Sequence, residues 1–196
     1  MAVFLKSERK CAMTIKMKGQ KNDYLVFYGL IICGLILFPK SLVKGQTENQ
    51  SLTSTSVLSL DGDDWLLGID PENTGRDHEW WNNPIAEAKQ VKVPWIIQDQ
   101  DAFPEYHGVV WYWKDFEAPK SPYPQGRFLL RFWNVDYKAD IWLNGNYIGE
   151  HEVAEIPFTF DVTDSIKFGQ KNRLAVRVIN PTSSPIDGIV YGQVPL

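Results

Sequence analysis

Carboxylates and histidines are the side chains of this chain that could carry out hydrolytic chemistry, but their spacing completes no catalytic motif. The sequence holds 24 acidic residues and three histidines. A hydrolase needs a positioned acid and base or an activated nucleophile. The sequence has no Gly-x-Ser-x-Gly elbow and no glycine-rich phosphate loop, and His78-Glu79 lacks the second histidine of a zinc-protease helix. Motifs alone therefore assign no catalytic residue.

Metal ligation is the second kind of chemistry to consider. Asp61, Asp63 and Asp64 have the side-chain type that binds Ca²⁺, but the later bidentate glutamate of a calcium loop is missing. An Asp-Gly turn explains this run more simply. His107 and His151 are expected to be turn or strand-edge residues. No metal and no cofactor is predicted.

Sugar stacking is the third possibility, because sugars pack on exposed aromatic faces. Trp80-Trp81 lies in the polar stretch RDHEWWNNP, outside any strand pattern, with Asn82 and Asn83 as candidate hydroxyl partners. The pair is therefore a candidate carbohydrate contact. The alternative interpretation is that it plugs the end of a β-sandwich. The tryptophans that lie in or beside strand patterns are predicted to be core residues: Trp65, Trp95, Trp133 and Trp142.

The distribution of charge divides the chain near residue 45. Residues 1–45 carry eight of the 20 basic side chains and two acidic ones, which leaves residues 46–196 with a net charge of −10. Nucleic acids and anionic lipids require clustered Lys and Arg, so no nucleic-acid partner is predicted. Both cysteines, Cys11 and Cys33, lie before residue 45, so the body has no disulfide and no thiol nucleophile.

Residues 1–45 are predicted to be a signal peptide or, alternatively, an uncleaved N-terminal anchor. Tyr24–Phe38 contains 15 residues without a charge and follows six basic side chains. This pattern is typical of a secretory signal, whereas a membrane span prefers about 20 residues. Met13 or Met17 is an alternative start. The protein is therefore expected to be exported to the periplasm, the cell surface or the medium, with a membrane contact only through an uncleaved leader.

The remainder is predicted to be a polar linker at residues 46–56 and one all-β domain at residues 57–196. Short runs rich in β-branched and aromatic residues are separated by Gly, Pro, Asn and Asp. Asn144-Gly145 predicts a tight two-residue hairpin, because both residues tolerate positive φ. Antiparallel strands with such turns indicate a sandwich or jelly roll. The runs are Val109–Phe116, Arg127–Phe132, Ala139–Leu143, Tyr147–Glu150, Phe158–Val162 and Arg173–Asn180.

Alternation along two of these runs predicts which side chains share a face. Leu174, Val176 and Val178 lie on one face of the last strand, opposite Arg173, Ala175, Arg177 and Ile179. In Trp111-Tyr112-Trp113, Tyr112 lies opposite the two tryptophans. One face of that strand is expected to be core, and the other is a candidate interface.

Four segments of the body follow one another in a diagnostic order: Leu58–Leu67, Val93-Pro94-Trp95, Tyr106–Pro119 and Arg127–Val162. The last contains a Leu-Asn-Gly turn, a Gly-x-His step, a Pro-Phe pair and a Phe-Asp-Val-Thr strand. With these segments in this order, the body resembles the N-terminal sugar-binding jelly roll of glycoside hydrolase family 2. The resemblance extends over about residues 57–194. The family contains β-galactosidases, β-glucuronidases and β-mannosidases. The residues at the diagnostic places are Gly149, His151, Pro157, Phe158, Asp161 and Thr163.

The resemblance implies a galactose-binding-like jelly-roll sandwich behind the leader and a carbohydrate partner. Members of the family hydrolyse O-glycosyl bonds with retention, through two glutamates of a TIM barrel that follows an immunoglobulin-like sandwich. Neither domain falls within the 196 residues, so no catalytic residue is assigned. The chain is expected to be a non-catalytic fragment of an exported, β-galactosidase-like glycosidase, with the missing sandwich and barrel as its partners.

The resemblance also implies one substrate contact. In the family, the jelly roll supplies residues to the rim of the sugar pocket, and an acidic residue near the final strand contacts substrate hydroxyls. Asp187 occupies the nearest matching position, although a turn-capping role after Pro185 is an equal alternative. The family usually has Gly-Gly-Ile-aromatic-Arg-Asp-Val in this region, whereas Ile186–Val194 lacks the first glycine and the arginine.

Two other hypotheses remain open at this stage. A free-standing carbohydrate-binding module would bind sugar without a catalytic partner. A structural or adhesion sandwich would fold without any response to sugar.

Overall fold

The computed structural model describes residues 3–9, 57–99, 103–104, 106–120, 123 and 125–190, which belong to one compact unit. These residues form ten β-strands and a short 3₁₀ helix, Ile97–Asp99, so the predicted all-β body is confirmed. All six runs predicted as strands coincide with observed ones. The strands are β1 Val3–Arg9, β2 Val57–Ser59, β3 Gly62–Ile69, β4 Lys89–Val93, β5 Gly108–Glu117, β6 Gly126–Phe132, β7 Lys138–Leu143, β8 Asn146–Glu152, β9 Phe158–Asp161 and β10 Lys171–Asn180.

The strands form two antiparallel sheets that enclose a common core. The four-stranded sheet has the order β2-β1-β6-β9, and the six-stranded sheet has the order β4-β3-β5-β10-β7-β8. Apolar side chains of both inner faces form one buried cluster, as in a β-sandwich. Phe128, Leu130 and Phe132 of β6 contribute to it from the smaller sheet, while Trp65 and Tyr112 contribute from the larger one.

Alternation in the central strands is as predicted. Leu174, Val176 and Val178 of β10 belong to the inner cluster, while Ala175 and Ile179 belong to a second cluster on the outer face. The predicted hairpin joins β7 to β8 through Asn144 and Gly145, at φ 54° and 83°. These left-handed values are those of a type I′ turn.

The outer face of the six-stranded sheet is covered by the long connection between β3 and β4, residues 70–88. Asp70 starts this connection and accepts hydrogen bonds from the backbone N–H of Thr74 and Gly75 and from Trp111 Nε1, at 2.9, 2.9 and 3.0 Å. A Cβ at Gly75 would lie 2.5 Å from Trp111 Nε1. The close approach of backbone and indole therefore requires glycine.

Strand β1 lies within the segment predicted to be a leader. It pairs with β6 over seven residues and with β2 over three, and Val3 and Leu5 are buried. β1 is thus an integral strand of the four-stranded sheet. Residues 10–56, with the apolar run Tyr24–Phe38, lie outside the described residues, so the leader stays a prediction. Within the described ranges, no helix is long and apolar enough to cross a membrane.

Candidate functional site

Trp80 and Trp81, the predicted carbohydrate contact, pack on the outer face of the six-stranded sheet. The Trp81 ring stacks on Trp142 at 5.3 Å and 8°, and Trp80 meets Trp111 edge to face at 6.2 Å. Trp113 Nε1 donates a 2.7 Å hydrogen bond to the Trp80 carbonyl. The pair is a packing element, as the alternative interpretation held, although it covers a sheet face and does not plug the end of the sandwich. A sugar contact at this pair stays a prediction.

Asp187, the predicted substrate contact, lies in a tight turn beside the same face, at φ 49°. Its Oδ1 accepts hydrogen bonds from Asn73 Nδ2 at 3.0 Å and from Arg76 Nη2 at 2.9 Å. Its Oδ2 accepts from Arg76 Nη2 and from Arg177 Nη2, both at 2.8 Å. Both carboxylate oxygens are thus occupied within the chain, and a sugar hydroxyl would have to displace one of these donors.

Arg177 is the centre of this polar cluster. Its side chain is 0% exposed, and Nη1 donates to Asp140 Oδ2 at 2.8 Å. Nη2 donates to Asp187 and to Asn73, while Nε has no partner among the described residues. A guanidinium in this position bridges β7, the 70–88 connection and the turn at Asp187, because its donors point in fixed directions.

Two carboxyl groups near this face have lowered pKa values. Partial burial opposes the shift at Asp187, but the nearby Arg177 and Arg76 guanidinium groups and the Asn73 hydrogen bond hold its pKa below the usual 3.8. At Asp115, hydrogen bonds from Arg173 hold the pKa below the same value.

The lowered values predict a loss of stability in acid. A carboxyl whose pKa is lower in the folded protein stabilises the fold above its unfolded pKa, and this contribution disappears as the pH falls through the folded pKa. The urea midpoint is therefore expected to fall below about pH 3.8 through Asp187 and Asp115. Asp187→Asn should reduce this acid-dependent fall. An unchanged pH profile in that variant would contradict the assignment.

A cavity of about 780 Å³ lies on the inner side of the six-stranded sheet. It is lined by Val110, Tyr112 and Val178 of β5 and β10, by residues 93–99 at and after the end of β4, and by residues 133–136, which follow β6. Its volume is within the range of small-molecule binding sites. The lining residues that the structure describes are Val93, Pro94, Trp95, Ile96, Ile97, Gln98, Asp99, His107, Val110, Tyr112, Trp133, Asn134, Val135, Asp136, Val178 and Asn180.

Two of the four tryptophans predicted to be core residues instead line this cavity. Trp65 and Trp142 are buried as expected, but Trp95 and Trp133 are 50% and 45% exposed. Trp133 directly follows β6 and Trp95 lies two residues beyond the end of β4, so the inward-outward alternation no longer places either side chain. The prediction was wrong for these two tryptophans. It also missed the exposed apolar surface that they form with Ile96, which is 63% exposed.

Polar side chains at the cavity are available to a ligand. Asp99, Asn134 and Asn180 line it, and their side chains have no hydrogen-bond or ion-pair partner in the part of the chain that the structure describes. Partial burial and then Glu155 raise the pKa of the Asp136 carboxyl. Burial raises the pKa of Tyr112 to about 12, so its phenol stays neutral. The cavity thus offers mainly hydrogen-bond acceptors beside apolar rings.

The remaining candidates have structural surroundings. The His151 ring stacks on Phe158 at 4.1 Å in edge strand β8, and His107 precedes β5 at the rim of the cavity. Asp61 accepts a hydrogen bond from the Val3 N–H, and Asp64 pairs with Lys114. Among the described residues, no group of three or more His, Cys, Asp or Glu side chains is placed to hold a metal ion.

Comparison with known families agrees with this architecture. Residues 57–190 match the sugar binding domain of glycosyl hydrolases family 2. The chain belongs to this family. The match begins at β2 and includes every strand except β1, the 70–88 connection and the cavity. The family 2 domain is therefore the sandwich described above without β1.

The related enzymes include β-glucuronidases and a β-galactosidase. A β-glucuronidase from Paenibacillus borealis is 32% identical over 119 residues, which cover 59% of this chain and 20% of that enzyme. A β-galactosidase from Thermoanaerobacter pseudethanolicus is 32% identical over 98 residues, which cover 46% of this chain and 13% of that enzyme. The family 2 domain thus spans about a fifth of these relatives or less.

Solved structures show the same fold. A β-glucuronidase from Ruminococcus gnavus, in complex with a C6-substituted uronic isofagomine, is 29% identical and superposes with a TM-score of 0.57. The superposition covers 63% of this chain and 21% of that chain.

Proposed function

We propose that this chain is the non-catalytic, sugar-binding N-terminal part of an exported family 2 β-glycosidase. The family match at residues 57–190 carries the proposal, because it names a sugar-binding domain of a hydrolase family. The relatives are several times longer, and the first is a β-glucuronidase. In the complete enzyme, a second sandwich and a TIM barrel would follow, and the barrel would hydrolyse the glycosidic bond through two glutamates.

The cavity beside Trp95 and Trp133 is the sugar contact in this proposal. It has half-exposed indoles, a suitable volume, and amide and carboxylate groups that have no side-chain partner among the described residues. Trp80, Trp81 and Asp187 stay a second candidate contact on the opposite face of the sheet. These three side chains pack or form hydrogen bonds within the segments that lie on that face, so sugar binding there would compete with contacts inside the chain.

Export is the part of the proposal that depends on residues 1–45. The basic segment followed by Tyr24–Phe38 supports it. Cleavage near residue 45 would remove β1, and a membrane crossing by Tyr24–Phe38 would separate β1 from the sandwich.

Reading the gene beyond the Leu196 codon tests the enzyme assignment. We expect the frame to continue through a second sandwich into a barrel with an Asn-Glu pair and a later glutamate. The complete protein should then hydrolyse 4-nitrophenyl β-glucuronide or β-galactoside, measured as nitrophenolate release. A stop codon directly after Leu196 would overturn the proposal and favour a free-standing binding module.

A further inference from the structure

The charged side chains around the cavity determine whether a charged or an uncharged sugar is favoured there. Asp99 and Asp136 line it, and no Lys or Arg is among the described lining residues. The cations nearest to its rings pack on the indoles: Lys92 Nζ lies 4.9 Å from the Trp95 ring centre, and Arg131 Cζ lies 4.2 Å from that of Trp133. His107 also lines the cavity.

This charge pattern disfavours a uronate. A sugar carboxylate is held in proteins by charge-assisted hydrogen bonds, most effectively from arginine. Beside Asp99 and Asp136 it would face two groups of its own sign, which is unfavourable wherever water is partly excluded. Burial raises the pKa of the Asp136 carboxyl, but it supplies no cation for a uronate.

The same groups suit an uncharged sugar. Each hydroxyl can donate to the Asp99 carboxylate or to the amide oxygens of Asn134 and Asn180, which lack other partners among the described residues. The half-exposed indoles of Trp95 and Trp133 offer apolar faces to the C–H side of a pyranose ring.

We propose that this cavity is a binding site for neutral hexose residues, with Trp95 and Trp133 as stacking surfaces and Asp99 and Asn134 as hydroxyl acceptors. The inference rests on the proposed sugar-binding function and specifies its ligand class. In a complete enzyme, such a site would hold a neutral part of a glycan, even if the hydrolysed residue is a uronate.

Titration of the full 196-residue chain with methyl β-galactoside, methyl β-glucoside and methyl β-glucuronide tests the proposal. Binding is measured by saturation-transfer NMR at low salt and at about pH 8, where an ordinary imidazole is neutral. We expect a neutral glycoside to bind at least about tenfold more tightly than the glucuronide, a difference of about 1.4 kcal/mol. Equal or tighter binding of the glucuronide would overturn the proposal.

Three variants locate the site. Trp95→Ala and Trp133→Ala should each reduce the affinity for the neutral glycoside by about tenfold or more, comparable to the loss of one aromatic contact. Asp99→Lys should shift the preference towards the glucuronide by adding the missing cation. Tyr147→Ala is the matched control, because Tyr147 is 55% exposed and lies outside the cavity.

The outcomes separate the two proposals. Neutral-sugar binding that survives both tryptophan substitutions would place the site elsewhere and overturn the cavity assignment. If no glycoside binds but the gene continues into a barrel, the enzyme proposal stands, and the cavity is a surface that the following domains cover. If binding is as expected but the gene stops after Leu196, the cavity assignment stands, and the enzyme proposal fails.

Discussion

Replacement of Arg177 by alanine is expected to lower the free energy of unfolding by about 3–5 kcal/mol, because it leaves a buried carboxylate without its partner. The Arg177 side chain is 0% exposed and that of Asp140 is 7% exposed, with 2.8 Å between Nη1 and Oδ2. The same substitution also frees the turn at Asp187. Urea-induced unfolding followed by tryptophan fluorescence measures the effect.

Two further substitutions serve as comparisons for Arg177→Ala. Arg76→Ala removes a 2.8 Å pair to the same Asp187, but its side chain is 45% exposed, so a loss of at most about 1 kcal/mol is expected. Arg177→Lys keeps the charge but cannot reach Asp140 and Asp187 with two separate donors, so an intermediate loss is expected. Equal stability of Arg177→Ala and Arg76→Ala would contradict the role assigned to the buried cluster.

Leu5→Ala is expected to have the second large effect, a loss of about 2–5 kcal/mol. Leu5 is 1% exposed and belongs to the inner cluster, and its backbone pairs with Leu58 on one side and Leu130 on the other. Lys6→Ala is the control on the neighbouring residue, since its partly exposed side chain points to the opposite face of the strand.

The Leu5 experiment also bears on the leader. If the protein is cleaved near residue 45, mass spectrometry of the mature form finds no β1, and Leu5→Ala leaves its stability unchanged. If residues 1–45 are retained and β1 pairs as described, the substitution destabilises the protein and Lys6→Ala does not. The result would decide between a removable signal and an integral strand.

Much of the fold could be predicted because its determinants are local in the sequence. Period-two alternation identified the two faces of β10, and Asn144-Gly145 identified the β7–β8 turn. Alternation in Trp111–Trp113 also separated Tyr112, which lies in the inner cluster, from its two neighbours, which lie in the outer one. Alternation did not say which face is the core, and the face considered as an interface is covered by the chain itself.

The remainder depends on contacts between distant segments. Arg177 is buried because Asp140 and Asp187 approach it from other elements, and no local pattern predicts that approach. Trp95 and Trp133 were wrongly predicted to be core because they adjoin strands, whereas alternation ends with the last paired residue. Residues 3–9 likewise were not predicted to be a strand, because they lie in a basic segment that is typical of a leader.

The position of β1 has a consequence for the timing of folding. Leu5 pairs with Leu130, so the partners are separated by 125 positions in the chain. Long-range pairing of this kind slows folding, because a large loop must close before its contacts form. β1 can pair with β2 earlier, but its longer pairing with β6 has to wait until residues 126–132 have been synthesised. During that interval an export machinery that recognises Tyr24–Phe38 would meet an N-terminus that is not yet part of the completed sheet. The relative rates of binding to that machinery and of β1–β6 pairing would then determine whether the protein is exported.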